Sequence, residues 1–582
     1  MPYNISTGQY DLSELMTKLQ SEKKAGFELQ KKKHEDWTDN YELYRGKVKT
    51  NRLTQRQAAN IPLMKETIKT TLAGIDDPPL VDWNELSGNE YKEAIYQEIW
   101  NQQFKDNKLE LIDVLDKKNV LLYGLSIKKL NIKDKGVDIS VLDPYDVLID
   151  PLMKNWDIES ARYIVHQNIF KCLRDIVADD KYSKEGREEL KIWVETPEGM
   201  IQGEKDRQAW EEKMERLKAM GINHGDFPYF AAGETIINLT EHFTKIWNGK
   251  EYERKVIVYA NDRIELYNET LEDCIGVDFW PFTIWSEDPE TLDIYSDSVA
   301  DLVRVPNKII NVWFSQLIEN RTLKNFQMHW YMPGENYTPQ TYTPGPGMML
   351  PAPPGEDVRK VIMPVEISGL DDTLDAINII TQIVERGSGA TAIQKGTGEQ
   401  GQQTLGEVQI LVGKAQERAT AMQKFYRMSW YETAVKWDGL MQANSPKSLK
   451  LYKQGKSGKM YENIVMTSDW KSDTGYEPQV RSSSEQETES IKSIQKFQFI
   501  MSQFPQNAEL RKIAQKRMLE VVDLTPEELK RVEEEEDKMA QTVQQQMMMQ
   551  QEQATTPNPE VMQMNERMGE LQKQLTPALT NG

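Results

Sequence analysis

The stretch from residue 325 to 365 constrains this chain more than any other. It holds Pro333, Pro339, Pro344, Pro346, Pro351, Pro353, Pro354 and Pro364, interleaved with Tyr331, Tyr337 and Tyr342. No helix survives that density of proline, because each ring removes a backbone donor and clashes with the turn before it. The stretch therefore reads as a β-hairpin or extended insertion. Helical patterns stand on both sides. Before it, Val299, Leu302, Val303, Ile309, Ile310, Trp313, Leu317 and Ile318 form one apolar stripe of a long helix, with Pro306 marking a kink or a fresh start. After it, Leu374, Ile377, Ile380 and Val384 keep helical register up to Gly387-Ser388-Gly389. Two helices flanking a small non-helical unit follow from these patterns.

The rest of the chain fits around this centre. Ala390–Gly401 is rich in Gly, Gln and Thr, and leads to Leu405, Val408, Val412, Ala415, Ala419, Met422 and Tyr426, spaced alternately by three and four. That is a long amphipathic helix approached through a flexible loop. Upstream, roughly the first 70 residues read as helix, opening with Leu12, Leu15, Met16 and Leu19 on one face. A second helical block, Asn89–Leu122, ends at Gly124 as a C-cap and is followed by the β-rich run Ser126–Leu142, which Asp143-Pro144 breaks. Strand-like Arg162–Phe170, Thr235–Trp247 and Lys255–Tyr259 alternate with a charged helix, Lys205–Met220, which makes this region α+β. From Ser482 onward helix formers dominate, with an acidic run at Glu533–Asp537 and a Gln/Met tract around Met547–Met549. Val561, Met564, Met568, Leu571 and Leu575 keep a heptad rhythm for about two heptads, fewer than a coiled coil needs.

At 582 residues the chain exceeds what one core supports, since cores stop growing beyond roughly 250–300 residues. Its mean hydropathy of −0.66 is wet for a globular chain, yet 14 Trp and 23 Tyr exclude general disorder. Much surface is thus exposed, or is covered by further copies. The charge of −21 argues against tight nucleic-acid binding, which rests on Lys and Arg contacts to phosphates. It suits a surface that DNA passes without sticking. Apolar runs such as Val120–Tyr123 are too short to span a bilayer, and the first residues lack a signal peptide's pattern, so a cytoplasmic product is expected. Cys172 and Cys274 form no CxxC pair and read as buried small hydrophobes.

Signatures of chemistry are few. Gly396-Thr397-Gly398-Glu399-Gln400-Gly401 satisfies GxGxxG, but a helix precedes it where a strand is needed, and Glu399 would face any phosphate. His34, His166, His224, His242 and His329 are scattered without metal-ligand spacing. GxSxG, HExxH and GxxxxGK[ST] are absent, and the Asn-X-Ser/Thr matches are chance in a chain without a secretion signal. No catalytic residue, cofactor site or metal site is expected.

The order of these segments resembles the wing, stem, clip, stem, tunnel loop and crown of tailed-bacteriophage portal proteins, of podovirus type. Local text agrees over roughly residues 35–440. Asp143-Pro144-Tyr145-Asp146-Val147, Asp150-Pro151 and Ser160-Ala161-Arg162-Tyr163-Ile164-Val165-His166 look like the body segment of such portals. Gln403-Thr404-Leu405-Gly406-Glu407-Val408 is similar to the threonine-then-glutamate start of their long helix, where Leu405-Gly406 departs from the usual Thr-Ala-Thr-Glu.

The resemblance implies an α+β, mostly helical portal fold. Its parts would be a wing over 1–288, a stem helix over 289–324, a β-rich clip over 325–369 and a return stem helix over 370–386. A tunnel loop over 387–404, a long kinked helix with wing return over 405–484 and a helical crown over 485–582 would follow. It also implies a ring of twelve copies at a capsid vertex of the virion, assembled in the host cytoplasm. The partners it implies are the terminase large subunit, tail adaptor proteins, major capsid and scaffolding proteins, and double-stranded DNA in the channel. Lys395, Thr397, Gln400, Gln402 and Gln403 would then face DNA, the alternative being a plain linker. Trp330, Tyr331, Tyr337 and Tyr342 would form the clip interface, the alternative being packing inside a small β-unit. Rival classes are another virion assembly or structural protein, such as a scaffold or tail component, and a metal-dependent nuclease.

Overall fold

The helix opened by Leu12, Leu15, Met16 and Leu19 runs as α1 (Leu12–Arg45) in the computed structural model. The structure describes residues 12–46, 59–75, 79–133, 136–220, 234–290, 293–325, 329–331, 362–364, 369–370, 372–388, 405–454, 460–481, 496 and 559–575. The chain divides into two units, Met1–Ser482 and Ser483–Gly582. The fold is α+β, with more than half of the chain helical and several small sheets.

In the first unit α1 is followed by α2 (Leu63–Gly74), β1 (Leu80–Glu85), α3 (Glu90–Asp106) and α4 (Leu109–Tyr123). Gly124 ends α4 at φ +82°, and a Cβ there would also strike the carbonyl oxygen of Ser296 at 2.0 Å, so both the turn and the close approach demand glycine. β2 (Ser126–Lys133) and β3 (Gly136–Leu142) then form a hairpin, and β9 (Phe282–Trp285) joins the other edge of β2. A five-stranded antiparallel sheet runs in the order β4 (Val147–Ile149), β5 (Tyr163–Cys172), β6 (Ile236–Trp247), β7 (Tyr252–Ala260) and β8 (Ile264–Thr270). The helices α5 (Leu173–Ala178), α6 (Lys184–Val194) and α7 (Pro197–Met220) are inserted between β5 and β6, and α8 (Leu271–Ile275) follows β8.

Next come α9 (Val299–Asn325), β10 (His329–Tyr331), β11 (Ile362–Pro364), α10 (Asp372–Ser388) and α11 (Leu405–Ala443). β12 (Ser448–Gln454) and β13 (Met460–Met466) pair with each other, and α12 (Thr467–Trp470) leads to β14 (Tyr476–Arg481). β14 returns to β1, from Leu80 opposite Arg481 to Glu85 opposite Tyr476. In the second unit α13 (Pro559–Leu575) carries Met564, Met568 and Leu571 exposed, in the heptad rhythm read from the sequence.

Two aromatic-rich cores hold the first unit. One gathers Trp37, Tyr123, Trp280 and Tyr295 with Val299, Val303 and Ile310 of α9 and Val384 of α10. The other packs Trp83, Tyr96, Trp100, Trp430, Trp437 and Trp470, with Tyr96 stacked on Tyr476 at 3.9 Å between ring centroids. Each such side chain removes about 150–250 Å² from water, which is where the tryptophan-rich composition is used.

Four expectations need correction. The block Asn89–Leu122 is two helices, because Lys108 takes a left-handed φ of 52° while Asn107 caps α3 and donates to the carbonyl of Val137. Of the two alternatives at Pro306, a kink or a fresh start, the fresh start falls: α9 continues through it, at the loss of a bond to the carbonyl of Leu302. The buried face of α9 is only partly its apolar stripe, since Leu302 and Ile309 are exposed while Asn307, Asn311 and Ser315 are buried. Finally, Cys172 is buried as expected but Cys274 is exposed, because buried Leu271 and half-buried Ile275 take the inner face of α8. Among the described residues no helix is long and apolar enough to cross a membrane.

Candidate functional site

The proline-rich insertion leaves and re-enters the fold through one narrow neck. β10 and β11 pair antiparallel, with His329 opposite Pro364, Trp330 opposite Met363 and Tyr331 opposite Ile362. Trp330 and Tyr331 thus lie on one strand of the neck, while Tyr337 and Tyr342 lie outside the described residues. The neck closes one end of an antiparallel helix pair. At the other end Gly387 of α10 lies so near Leu302 of α9 that a Cβ would stand 2.9 Å from Leu302 Cδ2. Between these ends Ile310 and Val384 are buried in the same core, with Ile377 and Ile380 packed against it, as the register of α10 requires. Lys395, Thr397, Gln400, Gln402 and Gln403, and the Gly396–Gly401 motif with them, fall between α10 and α11 and lie outside the described residues.

The position of α9 is set by polar groups that a search for apolar periodicity passes over. The amide of Asn307 accepts from Met64 N–H at 2.8 Å and donates to the carbonyl of Ile61 at 3.2 Å. Asn311 Oδ1 accepts from Ile61 N–H at 2.8 Å, and Ser315 Oγ accepts from Ala59 N–H at 3.0 Å. Asn307 thus caps α2 from outside, where Pro62 offers no side-chain cap, and Asn311 and Ser315, at successive steps of four on the same face, hold the segment that leads into it. On its other flank α9 meets α1 through Arg304–Asp36 at 3.0 Å and Lys308–Asp39 at 2.5 Å, and Asn40 Nδ2 donates to Asp301 Oδ1 at 3.0 Å.

The C-terminal half of α11 is fixed by two buried lysines. Lys128 Nζ of β2 reaches Asp116 Oδ2 of α4 at 2.9 Å and Ser429 Oγ of α11 at 2.7 Å, over the ring of Trp430. Asp116 also accepts from Trp285 Nε1 at 2.9 Å, so three elements share one carboxylate. One turn along α4, Asp113 is paired with Lys117 at 2.7 Å and accepts from Tyr426 OH; burial raises its pKa, with Lys117 pulling the other way. Lys436 of α11 donates to Glu159 Oε1 at 2.7 Å and to the carbonyls of Phe282 and Trp280 at 2.7 and 3.0 Å. Burial lowers the Lys436 pKa against the pull of Glu159. A buried charge with this many partners is a positioning device, since an unpaired one would be costly.

Other charged clusters serve the sheets. Glu241 of β6 accepts from Lys129 of β2 and lies 3.2 Å from His166 Nδ1 of β5. Burial opposes the Glu241 carboxylate, yet Lys129 and His166 hold its pKa far below the usual range, while burial keeps His166 below that of a free histidine. This cluster borders a cavity of about 530 Å³ that also touches Phe243, Tyr267 and Cys274. Among the described residues no three His, Cys, Asp or Glu side chains are placed to hold a metal ion.

Apolar side chains remain uncovered along the helix pair and on α11. Val305, Leu374, Ile379, Ile383 and Val435 are between 43% and 58% exposed. Large apolar side chains left open on a helix pair are the kind of surface that another chain can cover. The sequence signal for this was present, because α10 carries more apolar positions than one helix face can bury. Asn307, Lys128 and Lys436 gave no such signal. A sequence model of the phage SU10 portal protein family matches residues 80–576 of the chain. No curated protein matches it.

Proposed function

The chain belongs to the phage SU10 portal protein family, and from that premise we propose that twelve copies form a ring at one vertex of the capsid. Double-stranded DNA would enter and leave the virion through the central channel, and the role is structural, with no catalytic step assigned to the chain. The observation that carries the reading is the family match, which takes in the α9–neck–α10 arrangement.

The exposed residues Val305, Leu374, Ile379, Ile383 and Val435 support ring packing, because a neighbouring copy would cover them. In this reading α9 and α10 are the stem and the insertion beyond the neck is the clip. There Trp330, Tyr331, Tyr337 and Tyr342 dock the terminase large subunit during packaging and tail adaptor proteins afterwards. Lys395, Thr397, Gln400, Gln402 and Gln403 face DNA from the tunnel loop. The C-terminal unit is the crown inside the head, and the wing meets the major capsid and scaffolding proteins. A net charge of −21 per copy makes the channel wall repel phosphates, which favours sliding over sticking.

The experiment is negative-stain imaging of the purified protein together with its mass in solution. Rings of twelve copies with a central hole are the expected result. Particles of one or two chains at every salt and protein concentration would overturn the ring.

A further inference from the structure

The helical hairpin α6–α7 is mounted rigidly on the five-stranded sheet. Ser183 caps α6 by accepting from Gly186 N–H at 3.1 Å, and its own N–H donates to the carbonyl of Leu266 on β8 at 2.7 Å. Gly186 sits so close to β8 that a Cβ would meet the Glu265 carbonyl oxygen at 2.3 Å. The corner between the helices is equally fixed. Thr196 Oγ1 donates to the Trp193 carbonyl at 2.6 Å and accepts from Gly199 N–H at 3.2 Å. Beneath the corner Leu190 is fully buried in a core with Ile264 and Leu266, and Trp193 and Val194 pack against that core.

Three large apolar side chains are left over at the tip. Ile192 is 70% exposed, Met200 61% and Ile201 58%. Apolar groups held on a fixed corner are ready anchors for a partner, since little ordering entropy remains to be lost. The charge around them is predominantly acidic. Glu185, Glu188, Glu189, Glu195 and Glu204 are exposed on the hairpin, and Glu198 pairs with the exposed Arg263 at 3.8 Å, against the exposed lysines Lys184, Lys191 and Lys205. Further along α7 the exposed acids Glu211, Glu212 and Glu215 extend the field.

We propose that the α6–α7 tip docks a basic amphipathic helix of another protein, its apolar side chains on Ile192, Met200 and Ile201 and its lysines or arginines toward the surrounding glutamates. The sign of the charge selects this occupant. DNA and an anionic membrane are repelled, and a second copy of a chain carrying −21 brings mostly more negative charge. The proposal does not depend on ring formation.

The test uses the full chain and two labelled helical peptides with the same leucine face, one bearing lysines and the other glutamates on the opposite face. Fluorescence anisotropy is expected to show the basic peptide binding at least about tenfold tighter, with the preference shrinking as salt screens it. Ile192→Ser with Ile201→Ser should weaken binding about tenfold or more, as should Glu188→Lys with Glu189→Lys, while Ile464→Ser with Met466→Ser on β13 should leave it unchanged. Thermal melts of each variant verify folding. Equal binding of both peptides, or binding indifferent to the tip variants, overturns the proposal. So does a change in the mass of the assembly on Ile192→Ser with Ile201→Ser, which would make the tip a contact between copies.

Discussion

Asn307 on α9 accepts from the backbone N–H of Met64 at 2.8 Å, so the first turn of α2 is capped by a side chain from another helix, 243 residues away in the chain. Asn307→Ala removes that acceptor and leaves the Met64 N–H buried and unsatisfied, while the Ile61 carbonyl keeps its bond from Leu63 N–H at 2.8 Å. A loss of about 1–3 kcal/mol is expected, and a smaller one for Asn311→Ala, whose partner, the Ile61 N–H, is only half-buried. Urea unfolding followed by tryptophan fluorescence measures both, and equal midpoints for Asn307→Ala and the parent chain would refute the capping role.

Lys128 and Asp116 are both shut off from solvent, so removing one charge strands the other. Lys128→Met should cost about 3–5 kcal/mol, and adding Asp116→Asn should restore more than half of it. Thermal melts of the single and double variants decide the matter. A double variant as unstable as the single one would show that packing around Trp430, and not charge, dominates.

Glu85 links β1 to the turn before β14. Hydrogen bonds from Ser472, then Ser87 and the backbone of Asn89, hold its pKa at about 2 in place of the usual 4.5. A carboxylate depressed in this way stabilises the fold fully above pH 4.5, and that contribution fades as pH falls toward 2. The advantage of the parent chain over Glu85→Gln should therefore be present at neutral pH and shrink through that window. Unfolding midpoints across a pH series measure it, and a constant difference would assign the effect to shape instead.

Cys274 is exposed and Cys172 buried. A maleimide should modify one thiol per native chain and the second only in denaturant. The native reaction should run slower than that of a free cysteine at neutral pH, because the residue is exposed but its thiol lines the cavity beside Tyr267, where partial loss of water raises its pKa against the hydrogen bond from Tyr267, with Glu269 adding to the rise. Mass spectrometry of digests locates the label, and early modification at Cys172 would contradict the packing of β5.

Periodicity and proline density made the centre of the fold legible. The pattern Ile377, Ile380, Val384 gave α10 and its buried side, Gly124 gave the end of α4, and the proline-rich stretch pointed to extended chain where β10 and β11 pair, the prolines of 332–361 lying outside the described residues. Local pattern does not show what pairs over distance. Nothing near Leu80 announces Arg481 as its partner, and a lysine at φ 52° between α3 and α4 breaks a helix that propensity would continue. The fixing of α9 was hidden for a different reason. Asn and Ser spaced by four read as a solvated face, and only the tertiary structure turns them inward onto the backbone of 59–64. At the candidate site the neck was legible and its supporting residues were not.

The neck has one more consequence. Because the chain departs along β10 and comes back along β11 beside it, the two helices sense only that their ends are joined, and not how many residues do the joining. Loop-closure entropy grows slowly with length, by about 0.6 kcal/mol per doubling. The neck is therefore a natural graft point: a longer, shorter or foreign segment spliced between Tyr331 and Ile362 changes what the helix pair presents while leaving its own packing as it is.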